Sequence, residues 1–302
     1  MIFPINLLKT KLLCSELSLK DYKEILKITY GDEPSVPIFI ETITSILSRL
    51  TNTDQSFFKE LNIIELLIVL IELRIQSMGD AVTITLKEES ANTSLELRLD
   101  WIKEDLLLVC NQFNDHTIQQ NNFNITLSPP SIEKLLESTD EEYLYFIKKV
   151  LNKNNDQSIV TSNVNLAKMF FDKLSARTAA NIIKYFENFV TTLKNSNFLS
   201  RYGIEKQILV FIPTIESLMW FVKLLFNESI DSFYDNIFYL SHYGHLNSSY
   251  IEQCTPGEYI YFTKKLQQVL NQQKGTEENE TSFPADSNNL PEDLQDGYIE
   301  NS

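Results

Sequence analysis

A mainly α-helical chain with a small antiparallel β element, an α+β fold, is predicted by three features of these 302 residues. Apolar residues recur at helical spacing along most of the chain, and two short runs near 81–100 switch to strict alternation. The stretch from Gly275 to Ser302 has few apolar anchors with which to offset the entropy of ordering. The expected organisation is a helical part over 1–128 with a β hairpin at about 81–100, a helical, aromatic-rich part over 129–274, and a disordered acidic tail over 275–302. The boundary between the two helical parts is soft and falls between 128 and 160.

Ser18 and Asp21 have capping-box spacing ahead of Tyr22, Ile25, Leu26 and Thr29, and Gly31 closes this first helix. Beyond Pro34 and Pro37 the period continues through Ile43, Ile46 and Leu47 to about Leu50, where the polar TNTDQ run stops it. Asn62 and Glu65 open IIELLIVLIELRIQS, a helix apolar on nearly every side and therefore central, with Gly79 at its C-terminal cap. Val82, Ile84 and Leu86, then Leu95, Leu97 and Leu99, alternate with polar residues as two strands joined by the turn-rich EESANTS. A third strand, Phe123 to Leu127, could extend this sheet before Pro129 and Pro130 end it.

From Ser131 the pattern predicts helices over Ile132–Glu137, Glu141–Leu151, Val164–Leu174 and Arg177–Lys194, with NKNNDQS as a surface loop. The last folded stretch, Ile204 to Asn271, runs through IEKQILVFIP, TIESLMWFVKLLF and SIDSFYDNIFYLSHYGH. Its final helix starts with Thr255 as N-cap, Pro256 at N1 and Glu258 at N3.

The formal charge is −15, and the last 28 residues carry eight acidic side chains and no basic one. An acidic body with a more acidic tail repels phosphate backbones, so no nucleic-acid partner is expected. Cys14, Cys110 and Cys254 are odd in number and never in a CxxC, as for reduced core thiols of a cytoplasmic protein. Lys9 and Lys11 inside the first apolar stretch make it a poor signal peptide, and Ile63–Ile75 is too short and too charged to span a bilayer, so no membrane insertion is expected.

Chemistry-bearing motifs are sparse. The seven glycines are too dispersed for a GxGxxG or Walker loop, no serine sits in GxSxG, and only three histidines are present. The one HxxH, His242 and His245, would need Asp235 or Cys254 to complete a metal site, and nothing in the spacing fixes that approach. No catalytic residue, cofactor or metal is expected, and the remote alternative is a metal-binding or hydrolytic enzyme using His242 and His245.

Aromatic residues are the strongest functional signal. Phe211 to Phe262 holds 13 Phe, Tyr or Trp in 52 residues, against 11% for the whole chain. From Phe233 to Tyr243 the apolar residues, Ile237 and Leu240 among them, cover more than one helix face, which fits either a helix sandwiched inside its own domain or one that leaves a face for a partner. The candidate partner-binding residues are Trp220, Phe221, Tyr234, Phe238, Tyr239, Tyr243, His245, Tyr250 and Tyr259.

Three stretches in order, LSLKDYKEILK, LNIIELLIVLIELRIQSMGD with the strands after it, and FYDNIFYLSHYGHLNSSYIEQCTPGEYIYFTKKL, resemble the baseplate hub and hub-assembly proteins of T-even-type myophages. The third is the most telling, although Tyr259 stands where that family would have a basic residue and the acidic tail is an addition. The resemblance implies a non-enzymatic assembly factor or minor component of a contractile-tail baseplate hub that binds other tail and hub proteins. It implies a place in the host cytoplasm during assembly or in the virion tail baseplate. The alternative is a structural baseplate subunit retained in the virion. No oligomeric state follows.

Overall fold

A computed structural model describes residues 1–31, 35–87, 92–120, 123–137, 139–153, 158–160, 163–195 and 214–274. The expected tail over 275–302 and the apolar run 204–213 lie outside the described residues. What is described is mainly helical with small antiparallel sheets, as the sequence predicts.

The chain opens with a hairpin, β1 (Ile2–Asn6) and β2 (Lys11–Ser15), which helical spacing did not reveal. Phe3, Ile5, Leu12 and Cys14 are buried on one face while Ile2 and Leu13 stay exposed on the other, so hydropathy does not alternate although burial does. Helix α1 (Leu19–Tyr30) carries the expected capping box, in which Ser18 Oγ accepts from the Asp21 amide and the Asp21 carboxylate accepts from the Ser18 amide. Helices α2 (Val36–Thr51) and α3 (Gln55–Glu60) follow.

Helix α4 (Ile63–Met78) is the centre of the molecule. Asn62 caps it by accepting from the Glu65 amide, and eleven of its sixteen residues are buried. It packs against α5 (Leu99–Phe113), α9 (Ile215–Leu225), α12 (Pro256–Lys274) and β1. Gly79 ends it at φ 95°, a conformation that side chains rarely adopt, and turns the chain into β3 (Ala81–Lys87) and β4 (Asn92–Arg98). Helix α5 was not foreseen. The alternation of β4 runs into Leu99 and conceals a new helical period of Leu99, Ile102, Leu106, Val109 and Phe113, all buried.

The strand predicted to extend the hairpin belongs elsewhere. Phe123–Leu127 is β6 of a separate four-stranded sheet, order β5-β6-β7-β8, with β5 (His116–Gln120), β7 (Ile147–Asn152) and β8 (Ser158–Val160), and β3–β4 stays two-stranded. The helix predicted over Glu141–Leu151 is corrected to a 3-10 turn, Glu142–Phe146, followed by β7. The reason is a register irregularity. Thr126 faces Lys149 and Leu127 faces Ile147, so Lys148 is extra and Ile147 and Val150 become buried three residues apart, a helix-like spacing within a strand.

Helices α6 (Ile132–Leu135), α7 (Val164–Phe171) and α8 (Ala176–Asn195) complete this part. Phe189 on α8 meets Phe113 at 5.3 Å and Phe146 at 5.0 Å, which ties the four-stranded sheet's flank to α5. Asp115 pairs with both Lys9 of the first hairpin and Lys148 of β7. The interval 128–160 therefore holds α6, the 3-10 turn, β7 and β8.

The C-terminal helices α9, α10 (Ile230–His242), α11 (Ser248–Gln253) and α12 fold back on α1, and α9 and α12 also reach α4. The Leu19 amide donates to the Cys254 carbonyl at 3.1 Å. At the crossing of α12 with the end of α4, a Cβ on Gly257 would lie 2.8 Å from the Ser77 carbonyl oxygen, closer than backbone and side chain can approach. Gly257→Ala is expected to push α12 off α4 and cost about 1–3 kcal/mol, the usual range for overpacking. Urea unfolding of the two proteins checks this, and an unchanged midpoint contradicts the close approach.

Candidate docking surface

Helix α10 is tied to α1 and α12 by a half-buried polar knot. Glu228, in the link between α9 and α10, accepts from Tyr22 Oη of α1 at 2.8 Å, Tyr259 Oη of α12 at 2.7 Å and Asn236 Nδ2 of α10 at 3.1 Å. Around it, Tyr22 packs on Phe233 at 5.9 Å and on Phe226 at 6.2 Å, and Phe233 packs on Tyr259 at 5.3 Å. Burial raises the Glu228 carboxyl above the usual carboxylate range, against the lowering effect of its three donors, and burial together with Glu228 raises both phenols.

Arg74 of α4 is also buried, and it donates to the carbonyls of Leu225 at 2.9 Å, Gly79 at 2.7 Å and Ala81 at 3.3 Å. One guanidinium thus joins the central helix, the start of β3 and the end of α9. Burial lowers its pKa to about 10, partly opposed by Tyr22 and Asp80.

With Phe233 and Leu240 turned into this interior, the opposite face of α10 is presented to solvent. Tyr234, Phe238 and His242 form one row at four-residue spacing, and Asp231, Asp235, Tyr239 and Tyr243 form the next. The Phe238 ring, 57% exposed, stacks on His242 at 5.4 Å and 10°, and Tyr239 meets Tyr243 at 6.0 Å. Lys23 of α1 sits 5.0 Å over the Tyr234 ring. The result is an exposed aromatic ridge flanked by carboxylates.

The predicted residues divide clearly. Tyr234, Phe238, Tyr239 and Tyr243 come together on this ridge, and Trp220 is exposed on α9 beside Glu216 and Lys223. His245 is exposed just beyond α10 at φ 53°, and Tyr250 is exposed on α11, 6.2 Å from Phe262. Phe221 and Tyr259 are buried, at 3% and 1% exposure, and serve the interior. Sequence reasoning missed Asp231 and Asp235 as part of the same face and Tyr261 as an exposed ring, although α10's four-residue spacing carried the first signal.

The histidines do not converge. His242 lies on Phe238, His245 stands beyond the helix end, and buried Cys254 donates its thiol to the Tyr250 carbonyl at 3.4 Å. His116 starts β5, stacked on Tyr185 at 5.6 Å, beside an open cleft of about 610 Å³ lined also by Gln112, Asn181, Lys184 and Asn188. Among the described residues no group of three His, Cys, Asp or Glu could hold a metal ion, and no helix is long and apolar enough to cross a membrane.

The family model described as T4 bacteriophage base plate protein matches residues 2–197. That span includes the first two stretches on which the resemblance rests, while the third, aromatic stretch lies beyond it. No match was found among curated proteins or among solved structures.

Since the folded-state pKa of Glu228 is raised, the folded chain holds this proton more tightly than the unfolded one. The stabilisation is complete below the unfolded value of about 4.3 and declines as pH rises through the folded value. The stability of the wild type minus that of Glu228→Gln should therefore fall with rising pH across this window. Denaturation series at several pH values check it, and a difference that grows with pH contradicts the raised pKa.

Proposed function

The chain belongs to the T4 bacteriophage base plate protein family, and from that premise we propose that it is a non-enzymatic assembly factor or minor component of the baseplate hub. A structural or assembly role in the phage baseplate, among other baseplate proteins, follows from the family itself. The hub, and a role as chaperone, are the finer reading. The observation that carries the binding mode is the exposed ridge of Tyr234, Phe238, Tyr239 and Tyr243. Tyrosine and phenylalanine bring large contact area at low entropy cost, and aromatic anchors dominate the energetics of protein interfaces. Trp220, His245 and Tyr250 offer further contact around it, and assembly would take place in the host cytoplasm.

A second reading, a structural subunit retained in the virion tail baseplate, is favoured by the family description, which names a base plate protein. Affinity purification of the tagged chain from phage-producing cells, beside mass spectrometry of purified virions, separates the two. Hub proteins copurifying with a chain absent from virions is the outcome expected of an assembly factor. Stoichiometric peptides in virions establish a retained subunit, and recovery of host metabolic enzymes alone contradicts both. Phe238→Ala with Tyr239→Ala should reduce recovery of the partner about tenfold or more, since each truncates an exposed anchor without opening the core.

A further inference from the structure

We infer that the α10 ridge accepts a basic partner surface, one whose Arg or Lys side chains stack on the aromatic rings and pair with Asp231 and Asp235. This deepens the docking reading above and rests on it. The argument is charge complementarity at one helix face. Asp231 and Asp235 lie three or four residues from Tyr234, Phe238 and Tyr239, so these three rings are within about one turn of a carboxylate, while His242 and Tyr243 extend the ridge one turn further. A ring face attracts a cation electrostatically, and a carboxylate alongside strengthens the same preference. The chain already shows this chemistry within itself, where Lys23 lies 5.0 Å over Tyr234.

The same charges disfavour the other occupants. A second copy would bring its own −15 and its own Asp231 and Asp235 to the contact. An acidic or purely apolar partner would leave the two aspartates desolvated without a counter-charge, which is costly at an interface.

The test uses the full chain and two synthetic helical peptides, one with Arg and Leu along a single face and one with every Arg replaced by Glu. The Arg peptide is expected to bind, to lose about tenfold or more in affinity when Asp231→Lys and Asp235→Lys are combined, and to weaken between roughly 0.05 and 0.5 M salt. The Glu peptide is expected not to bind. Failure of the Arg peptide to bind, equal binding of the two peptides, or indifference to the charge reversal overturns the inference.

Capture from phage-producing cells then separates this inference from the reading beneath it, with each captured protein identified and its binding remeasured after purification. If Phe238→Ala/Tyr239→Ala loses a baseplate protein that the charge reversal retains, the ridge docks a non-basic partner and only this inference fails. If neither variant loses it, the docking reading itself fails. A dimer in sedimentation that Phe238→Ala dissolves identifies a second copy as occupant and overturns the basic-partner assignment. Both pairs of substitutions lie on the solvent face of α10, and matching thermal unfolding of variants and wild type confirms that the fold is retained.

Discussion

Helix α4 is apolar on nearly every side, and the elements packed around it are arranged by the need to cover it. Its buried residues include nine aliphatic side chains from Ile63 to Leu73, each contributing roughly 1.5–3 kcal/mol when taken from water. No single neighbour can enclose a whole helix circumference. Segments far apart in sequence therefore share the work, with β1 from the start of the chain, α5 from the middle, and α9 and α12 from its end. The depletion of glycine suits such a helix-dominated interior, and Gly79 and Gly257 stand where left-handed backbone or close contact requires them.

Apolar coverage alone does not fix orientation, and two polar groups, buried Arg74 and half-buried Glu228, supply directional bonds. Arg74 satisfies three backbone carbonyls at the ends of elements, so α9 and β3 are positioned against α4 by directional bonds. Glu228 does the same for α1, α10 and α12 through two phenols and an amide. Each group is desolvated, so removing its partners would leave a polar group without its hydrogen bonds. Once Phe233 and Leu240 are held in the interior, the four-residue rows of α10 have one remaining direction to face.

Where local pattern and tertiary role coincide, the elements could be read directly. The capping residues Ser18, Asn62 and Thr255 all cap helices where the sequence places them, and the burial of Cys14, Cys110 and Cys254 follows from their spacing and setting. Where they diverge, the pattern misled. Ile2 and Leu13 are apolar yet exposed, which hid the first hairpin, and the extra Lys148 gave a strand the spacing of a helix. For the docking surface, aromatic density marked the right segment, but density cannot tell an interior ring from an exposed one. Tyr259 and Phe238 look alike in sequence, but Tyr259 packs on Phe233 and donates to Glu228 in the interior, while Phe238 lies on the side of α10 away from buried Phe233 and Leu240.

A baseplate protein has to join other chains without losing its own core, and on the docking reading proposed above this division of aromatic rings meets that need. Tyr22, Phe226, Phe233 and Tyr259 stabilise the C-terminal helices, while the ridge on α10 remains available. Oxidative footprinting of the chain alone and in its purified baseplate complex tests this most directly. Phe238, Tyr239 and Tyr243 should be labelled in the free chain and protected in the complex, with Tyr22 and Tyr259 unlabelled in both. Labelling of α10 that is unchanged on assembly, with protection elsewhere, would contradict the account.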